Sequence, residues 1–570
     1  MPATAPAPTS TDQRHLDEAL ARLHDAAPRW ARAPIPERVA LARAMLRGVA
    51  RIAQRSVEAA CAAKGIALDV PQAGEEWLSG PYVTARILRQ LVHSLTLLGR
   101  NGNTPVGPTG ETIDGRLSAR VFPASRLDAL LFMGVRADVH LEAGVDERTL
   151  NESRARFYKA PDHDGRVCLV LGAGNINAIP PADVATKLFV EGKVCLLKMN
   201  PVNAYLGPLL EEAFAEAIEK GVLSVVYGGA AEGSYLAYHA AVDEVHITGS
   251  DATHDNIVWG PPGPERAERM ARNKPILQKE ITSELGNVSP VLVVPGPWDA
   301  GTLRFQAESV AGMVTHNASF NCNAAKLLVT ARGWRHRDAF LAAIEHFMAL
   351  VPTRKAWYPG ALDRYRALTD GRAAIRRVGG VEGTLPWTLV TGLDPESKDP
   401  AFTTEPFCAI VSETSLASDD PVEFLERAAA FANERIWGTL SAQLVVHPRT
   451  LADPVTGPAV ERAIRALRYG TVAVNCWAGY GFAFGTTPWG AYPGATLTDV
   501  QSGRGGFVHN TLMLERVEKC VLRHPARTFP KPPFFPSHRT AHVLGRRLTL
   551  LETTGSWRHV PGIVAAAVQG

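Results

Sequence analysis

Two side chains in this sequence have types that suit joint chemistry. They are Cys322, in the polar run Phe-Asn-Cys-Asn, and Glu284, which opens Glu-Leu-Gly-Asn-Val-Ser-Pro 38 residues earlier (322 − 284). A thiol becomes a strong nucleophile once its proton is taken, and a carboxylate in the same pocket can take it or activate a water. The other cysteines invite a plainer reading. Cys168 and Cys195 sit inside apolar runs and read as packing, and Cys476, next to Trp477, reads as structural. The seven cysteines are odd in number and contain no C-x-x-C pair, which indicates neither a disulfide framework nor a metal site.

The elements that must position this pair follow from periodicity. From Arg166 a unit repeats: the apolar run VCLVLG, a helix opened by Pro180-Pro181 and closed at Gly192, then VCLLKM, a helix to Lys220, LSVVYGG, a helix around 234–241, and EVHITGS. Strands alternating with helices at this pace predict an α/β fold with a doubly wound parallel sheet that binds its ligand at the carboxyl ends of its strands. Gly172-Ala-Gly-Asn-Ile-Asn starts like a dinucleotide fingerprint but carries Asn177 where the third glycine belongs. Gly249 and Ser250 close the last strand, and the helix expected after them would offer free N–H groups to a phosphate.

Around this core, residues 1–13 read as a disordered tail, and Leu16, Leu20 and Leu23, then Leu41, Met45, Val49 and Ile52, mark amphipathic scaffolding helices. Arg154–Lys159 (RARFYK) alternates polar and apolar residues, which predicts an edge strand, and residues 259–275 form a Pro- and Arg-rich insertion. The aromatic run 477–488 predicts a substrate wall, hence an apolar substrate, since an unpaired charge is costly to bury. The segment 528–570 begins FPKPPFFP and predicts an extended arm.

Composition narrows the partners. Sixty basic and fifty-seven acidic residues give +3, too small to indicate nucleic acid, and no run of eighteen apolar residues predicts a membrane span. A small-molecule ligand and a cytoplasmic setting are the expectation.

Taken in order, these pieces resemble the aldehyde dehydrogenase superfamily. Asn175 stands 23 residues before Lys198 (198 − 175), then come Gly249-Ser250, Glu284-Leu-Gly, Cys322, Glu405-Pro-Phe407 and, after VAVNCW, the run TTPWGAYPG at 486–494. The match covers roughly 150–520 and rests on the ordered set more than on any one motif. The resemblance implies that Cys322 attacks an aldehyde, that its own N–H and the Asn175 amide hold the oxyanion, and that Glu284 activates the water that releases the acid. It further implies that Lys198 meets the adenosine ribose or a 2′-phosphate, Gly249 and Ser250 the pyrophosphate, Glu405 the nicotinamide ribose, and Phe407 the nicotinamide ring.

Many relatives carry Lys-Pro-x-Glu; Lys198-Met-Asn-Pro201 has no acid there, which leans the cofactor from NAD toward NADP. Asn287 replaces a glycine beside Glu284 and Phe320-Asn321 replaces Gly-Gln, so Asn287 is expected to crowd the carboxylate or to reorient it. The implied organisation is a cofactor-binding domain over 14–283, with a strand extension near 140–160, a catalytic domain over 284–500, and an assembly segment over 501–570. Family habit implies a homodimer or homotetramer, with RARFYK and the stretch 505–522 pairing across subunits. Two rival readings accompany this one: a coenzyme-A-dependent acylating relative, and a catalytically silent relative that keeps only a nucleotide.

Overall fold

A computed structural model describes residues 8–160 and 162–570. Its smaller sheet has the strand order Gly503–Arg504, Glu280–Glu284, Glu244–Thr248, Val167–Leu171, Val194–Lys198, Leu223–Val226. All neighbours are parallel except the first pair. The chain therefore starts in the middle with Val167–Leu171, winds outward to one side, and returns to the other. The order reverses between Val167–Leu171 and Glu244–Thr248, and a crevice opens beyond the carboxyl ends of strands at such a point. Val167–Leu171 and Val194–Lys198 are buried on both faces, which is why they are near-continuous runs of Val, Leu and Cys.

The N-terminal helices cover this sheet. Asp12 caps Gln13–Ala31 by accepting from the His15 N–H, and Gly65, left-handed at φ 69°, ends Ile35–Lys64. Leu16, Leu20, Leu23, Leu41, Met45, Val49 and Ile52 are all buried, as their spacing predicts. Of the expected tail, residues 1–7 lie outside the described residues; Thr11 exchanges hydrogen bonds with Tyr227 and the helix begins at Gln13.

The larger sheet has eleven strands, in the order Thr109–Glu111, Leu117–Phe122, Arg136–Leu141, Val517–Arg523, Thr471–Val474, Ser441–Val445, Pro290–Val293, Leu327–Ala331, Ile410–Leu416, Trp387–Leu393, Ile375–Val378. The seven strands from Val517–Arg523 to Trp387–Leu393 are parallel.

Several expectations are corrected here. The strand extension lies over 109–141, not near 140–160. RARFYK is not a strand: Arg156–Lys159 is a single helical turn, and Phe157 stacks on His163 and lies against Gly192, where a Cβ would come within 1.9 Å of the ring. Its aromatic residues thus pack inward from a turn, which mimics strand alternation. The stretch 505–522 leads into Val517–Arg523, and that strand pairs with this chain's own Thr471–Val474. The arm after 528 is extended only at first; it then forms helices Ala541–Thr554 and Val560–Val568. The insertion contains the helix Pro264–Ala271. Among the described residues no helix is long and apolar enough to cross a membrane, and no cluster of His, Cys, Asp and Glu is arranged to hold a metal ion.

Candidate active site

Glu284 is the last residue of its strand, and its carbonyl accepts from the Gly249 N–H at 3.0 Å. Cys322 lies between a long helix, Ala300–Thr315, and the strand Leu327–Ala331. The two meet: the Cys322 thiol donates to Glu284 Oε1 at 3.5 Å. Cys322 is half-buried, while the other six cysteines are buried. The Glu284 carboxyl is only 2 % exposed, and its Oε2 has no hydrogen-bond partner. Burial, and then the charge of Asp183, push its pKa up to about 8. The Cys322 thiol is also pushed up, by burial first and Glu284 second. The resting pair is a thiol beside a carboxyl that titrates near neutrality, a suitable value for accepting a proton.

The loop carrying Cys322 adopts an uncommon backbone. Asn317, Ala318 and Ser319 all have left-handed φ, at 55°, 54° and 68°. Only asparagine among these tolerates that region readily, so the loop must be held from outside. The Asn317 amide donates to Asn175 O, Phe320 O and Asn321 Oδ1, while its Oδ1 accepts from Lys64 Nζ at 3.0 Å. Its backbone N–H donates to Glu75, which Arg354 grips through both carboxylate oxygens. Lys64 pairs with Glu76 at 2.8 Å, with both side chains buried. The N-terminal helices, which sequence reasoning treated as scaffolding, supply this brace.

Asn175 reaches the same loop, where its amide donates to Phe320 O at 3.0 Å and retains a second N–H. Asn287 does not crowd Glu284. It turns the other way, donating to Ser289 Oγ and Ser441 O, and its Oδ1 faces Gly438, where a Cβ would come within 2.4 Å. Lys326 was not foreseen. Its ammonium is fully buried, donates to the carbonyls of Asn287 and Cys322, and pairs with Glu405. Its only sequence signal is a lone basic residue opening the apolar run LLVTA.

The cofactor candidates lie on the other side of Glu284. Gly249 and Ser250 are exposed at the switch point, and Ser250 caps the helix Asp251–Trp259 by accepting from the Thr253 N–H. A Cβ on Gly249 would meet only Ile247, at 3.6 Å, so the approach to the helix N-terminus is open. Lys198 ends its strand and donates to Gly228 O at 2.6 Å. Glu232, which accepts from the Gly229 N–H, acts on Lys198 electrostatically. The two side chains thus meet the same turn, Lys198 through Gly228 O and Glu232 through the Gly229 N–H. Glu405 is held by Lys326, and Phe407 packs on Tyr358 with ring centroids 4.9 Å apart, its φ of 41° fixed as Arg364 donates to its carbonyl. Together these groups suit a dinucleotide lying from Lys198 across Gly249 to Glu405 and Phe407.

On the far side of Cys322 and Glu284 opens a cavity of about 720 Å³. Tyr82, Val83, Ile176, Trp477, Phe482 and Phe484 line its inner part, so the run 477–488 does form a wall. The carboxyl-terminal segment supplies more of the lining, including Phe529, Phe534, Leu544, Leu548 and Ile563.

This chain matches the model of the aldehyde dehydrogenase family over residues 167–356, a third of its length. It is 30% identical over 128 residues to 4-trimethylaminobutyraldehyde dehydrogenase A of Danio rerio and to the Homo sapiens 4-trimethylaminobutyraldehyde dehydrogenase. Those residues are 22% of this chain and 23% of each curated relative, so the match spans under a quarter of their length. The likeness of fold extends much further. The NADP complex of an NADP-dependent glyceraldehyde-3-phosphate dehydrogenase from Bacillus halodurans C-125 is similar at TM-score 0.60 and 18% identity, over 91% of this chain and 94% of that one. An indole-3-acetaldehyde dehydrogenase in complex with NAD+ is similar at TM-score 0.57 and 19% identity, over 90% of each chain.

Proposed function

We propose that this chain oxidises an apolar aldehyde to its carboxylic acid, with Cys322 as nucleophile, Glu284 as base and a pyridine dinucleotide as hydride acceptor. The observation that carries this reading is the thiol-to-carboxyl contact at the inner end of an apolar cavity. Glu284 takes the thiol proton as the Cys322 sulfur bonds to the aldehyde carbon. The Cys322 backbone N–H and the free N–H of Asn175 stabilise the oxyanion of the thiohemiacetal, a contribution of about 3 kcal/mol per donor. The bound cofactor supplies the acceptor for the hydride leaving that carbon, and a thioester remains on Cys322. Glu284, having released its first proton, takes another from a water that attacks the thioester; the carbon–sulfur bond breaks, the acid departs, and the thiolate regains a proton.

Lys198, Gly249 and Ser250 hold the adenosine half of the cofactor in this reading, and Glu405 and Phe407 its nicotinamide half. Glu405 must loosen from Lys326 to reach a ribose. Glu232, in the turn that Lys198 reaches through Gly228 O, would favour a free 2′-hydroxyl over a 2′-phosphate, while the absence of an acid in the Lys-Met-Asn-Pro run admits NADP. The deciding assay follows nicotinamide reduction with decanal and NAD or NADP, with and without coenzyme A. Free decanoic acid as product, with no turnover in Cys322→Ala, is the expected result; obligatory acyl-coenzyme A would replace this reading with the acylating one, and no turnover of any aldehyde would favour the silent relative.

A further inference from the structure

The outer mouth of the apolar cavity is unusual in what it exposes. Leu130, Met133, Phe529, Val564 and Val568 all line the cavity, yet they are 47%, 61%, 75%, 47% and 48% exposed. Five large apolar side chains thus ring one opening, where a folded protein ordinarily scatters them. The last helix, Val560–Val568, has no charged residue and buries only Ile563 and Ala566. At nine residues it is about 14 Å long, too short to span a bilayer and long enough to lie along one.

The charge of the same segment is as lopsided. Residues 523–570 contain seven basic residues and one acidic one, while the whole chain carries only +3. The acid, Glu552, is buried and paired inward with Arg86 and Arg89, and Arg523 is paired with Glu461. Arg527, Arg539, Arg546, Arg547 and Arg558 are exposed, and among the described residues none has a carboxylate within ion-pair distance. Two of them can be placed at the mouth: Arg527 is in the cavity wall, and the Arg547 guanidinium lies against Gly562, where a Cβ would come within 1.9 Å of it. Apolar tips beside unpaired arginines complement the acyl region and the headgroups of an anionic leaflet, whereas a nucleic acid would leave the apolar ring in water.

We infer that the carboxyl-terminal segment seats the cavity mouth on an anionic lipid bilayer, so that a long-chain aldehyde dissolved there passes to Cys322 without crossing water. The chain length of the substrate rests on the aldehyde reading above; the docking does not. The docked face is the mouth itself, since the exposed apolar residues are also its lining.

The test is flotation of the purified full chain with vesicles of phosphatidylcholine alone and of equal parts phosphatidylcholine and phosphatidylglycerol. Binding to the mixed vesicles, weak binding to the neutral ones, and release by raised salt are expected. Each arginine contributes about fivefold, so the triple variant Arg546→Gln, Arg547→Gln, Arg558→Gln should weaken vesicle binding by roughly a hundredfold while its turnover of propanal in solution is unchanged. Flotation equal for wild type and triple variant, no flotation at all, tighter binding to a duplex RNA oligonucleotide than to the mixed vesicles, or self-association that blocks vesicle binding would each overturn the docking. A wild type that floats as expected but turns over neither propanal nor decanal would leave the docking standing and remove the aldehyde reading instead.

Discussion

The proposed chemistry turns on where a proton sits on Glu284. Its carboxyl is held up to about 8 by burial, so it is protonated at neutral pH and becomes a base above that value. Turnover should therefore rise with pH through about 8, and Glu284→Gln should lose that limb along with about a hundredfold or more of kcat, the range expected for a positioned base. Stability runs the other way. The unfolded carboxyl titrates at about 4.3, so the folded state binds the extra proton between there and about 8, and stability falls as pH rises across that window. Glu284→Gln should raise the thermal midpoint, most at pH above 8, and a melting series against pH reads this directly.

Lys326 makes a different prediction at the same scale. It is fully buried, so Lys326→Met should leave Glu405 a carboxylate without its cation and destabilise the fold by about 3–5 kcal/mol. Adding Glu405→Gln should restore most of that loss, a cycle measurable by denaturant unfolding. The sequence presents Cys322 and Glu284 because their residue types advertise reactivity. It does not present Lys326, since a lysine becomes informative only when burial removes its water, and burial is a property of the folded neighbours.

At the scale of elements, the proposed nucleophile depends on a loop that could not hold its own shape. Three successive left-handed residues without glycine cost on the order of 1–3 kcal/mol each, and Asn317 with Lys64, Glu75 and Glu76 pins them from the N-terminal helices. Asn317→Ala removes the side chain that ties the loop to Asn175 and Lys64. It should lower kcat/KM at least tenfold through kcat, by misplacing the sulfur, while the protein remains folded by circular dichroism. The helix faces at 16–23 and 41–52 were legible because their period is local. The service of Lys64, at the end of the second helix, to a loop some 250 residues away was not, since only tertiary packing brings it to Asn317. The same reason explains Glu232: the sequence lacks an acid near Lys198 along the chain, and the fold brings one to the turn that Lys198 meets, in the first turn of the helix after the neighbouring strand. RARFYK misled for the converse reason, as alternation over six residues is equally well satisfied by one turn with two inward aromatics.

At the scale of the molecule, the larger sheet is finished by the chain itself. Val517–Arg523 takes the seat beside Thr471–Val474, with Cys520 opposite Thr471, and it carries Arg136–Leu141 on its other side. The parallel, doubly wound character of the smaller sheet was readable from strand and helix rhythm, but the partner of an edge strand is written in no local pattern, and family habit put it in a neighbouring subunit. What remains at the sheet's two ends are short strands of three and four residues, Thr109–Glu111 and Ile375–Val378, which offer little for another chain to extend. The contacts that hold Cys322 near Glu284 and brace its loop, as described, all come from one chain. Specific activity should accordingly stay constant on dilution, and sedimentation at the lowest assayable concentration should find active single chains. Activity that falls in step with the loss of a larger species would mean that Val517–Arg523 is exchanged between subunits in solution, with the intrachain pairing standing in for an interchain one of the same register.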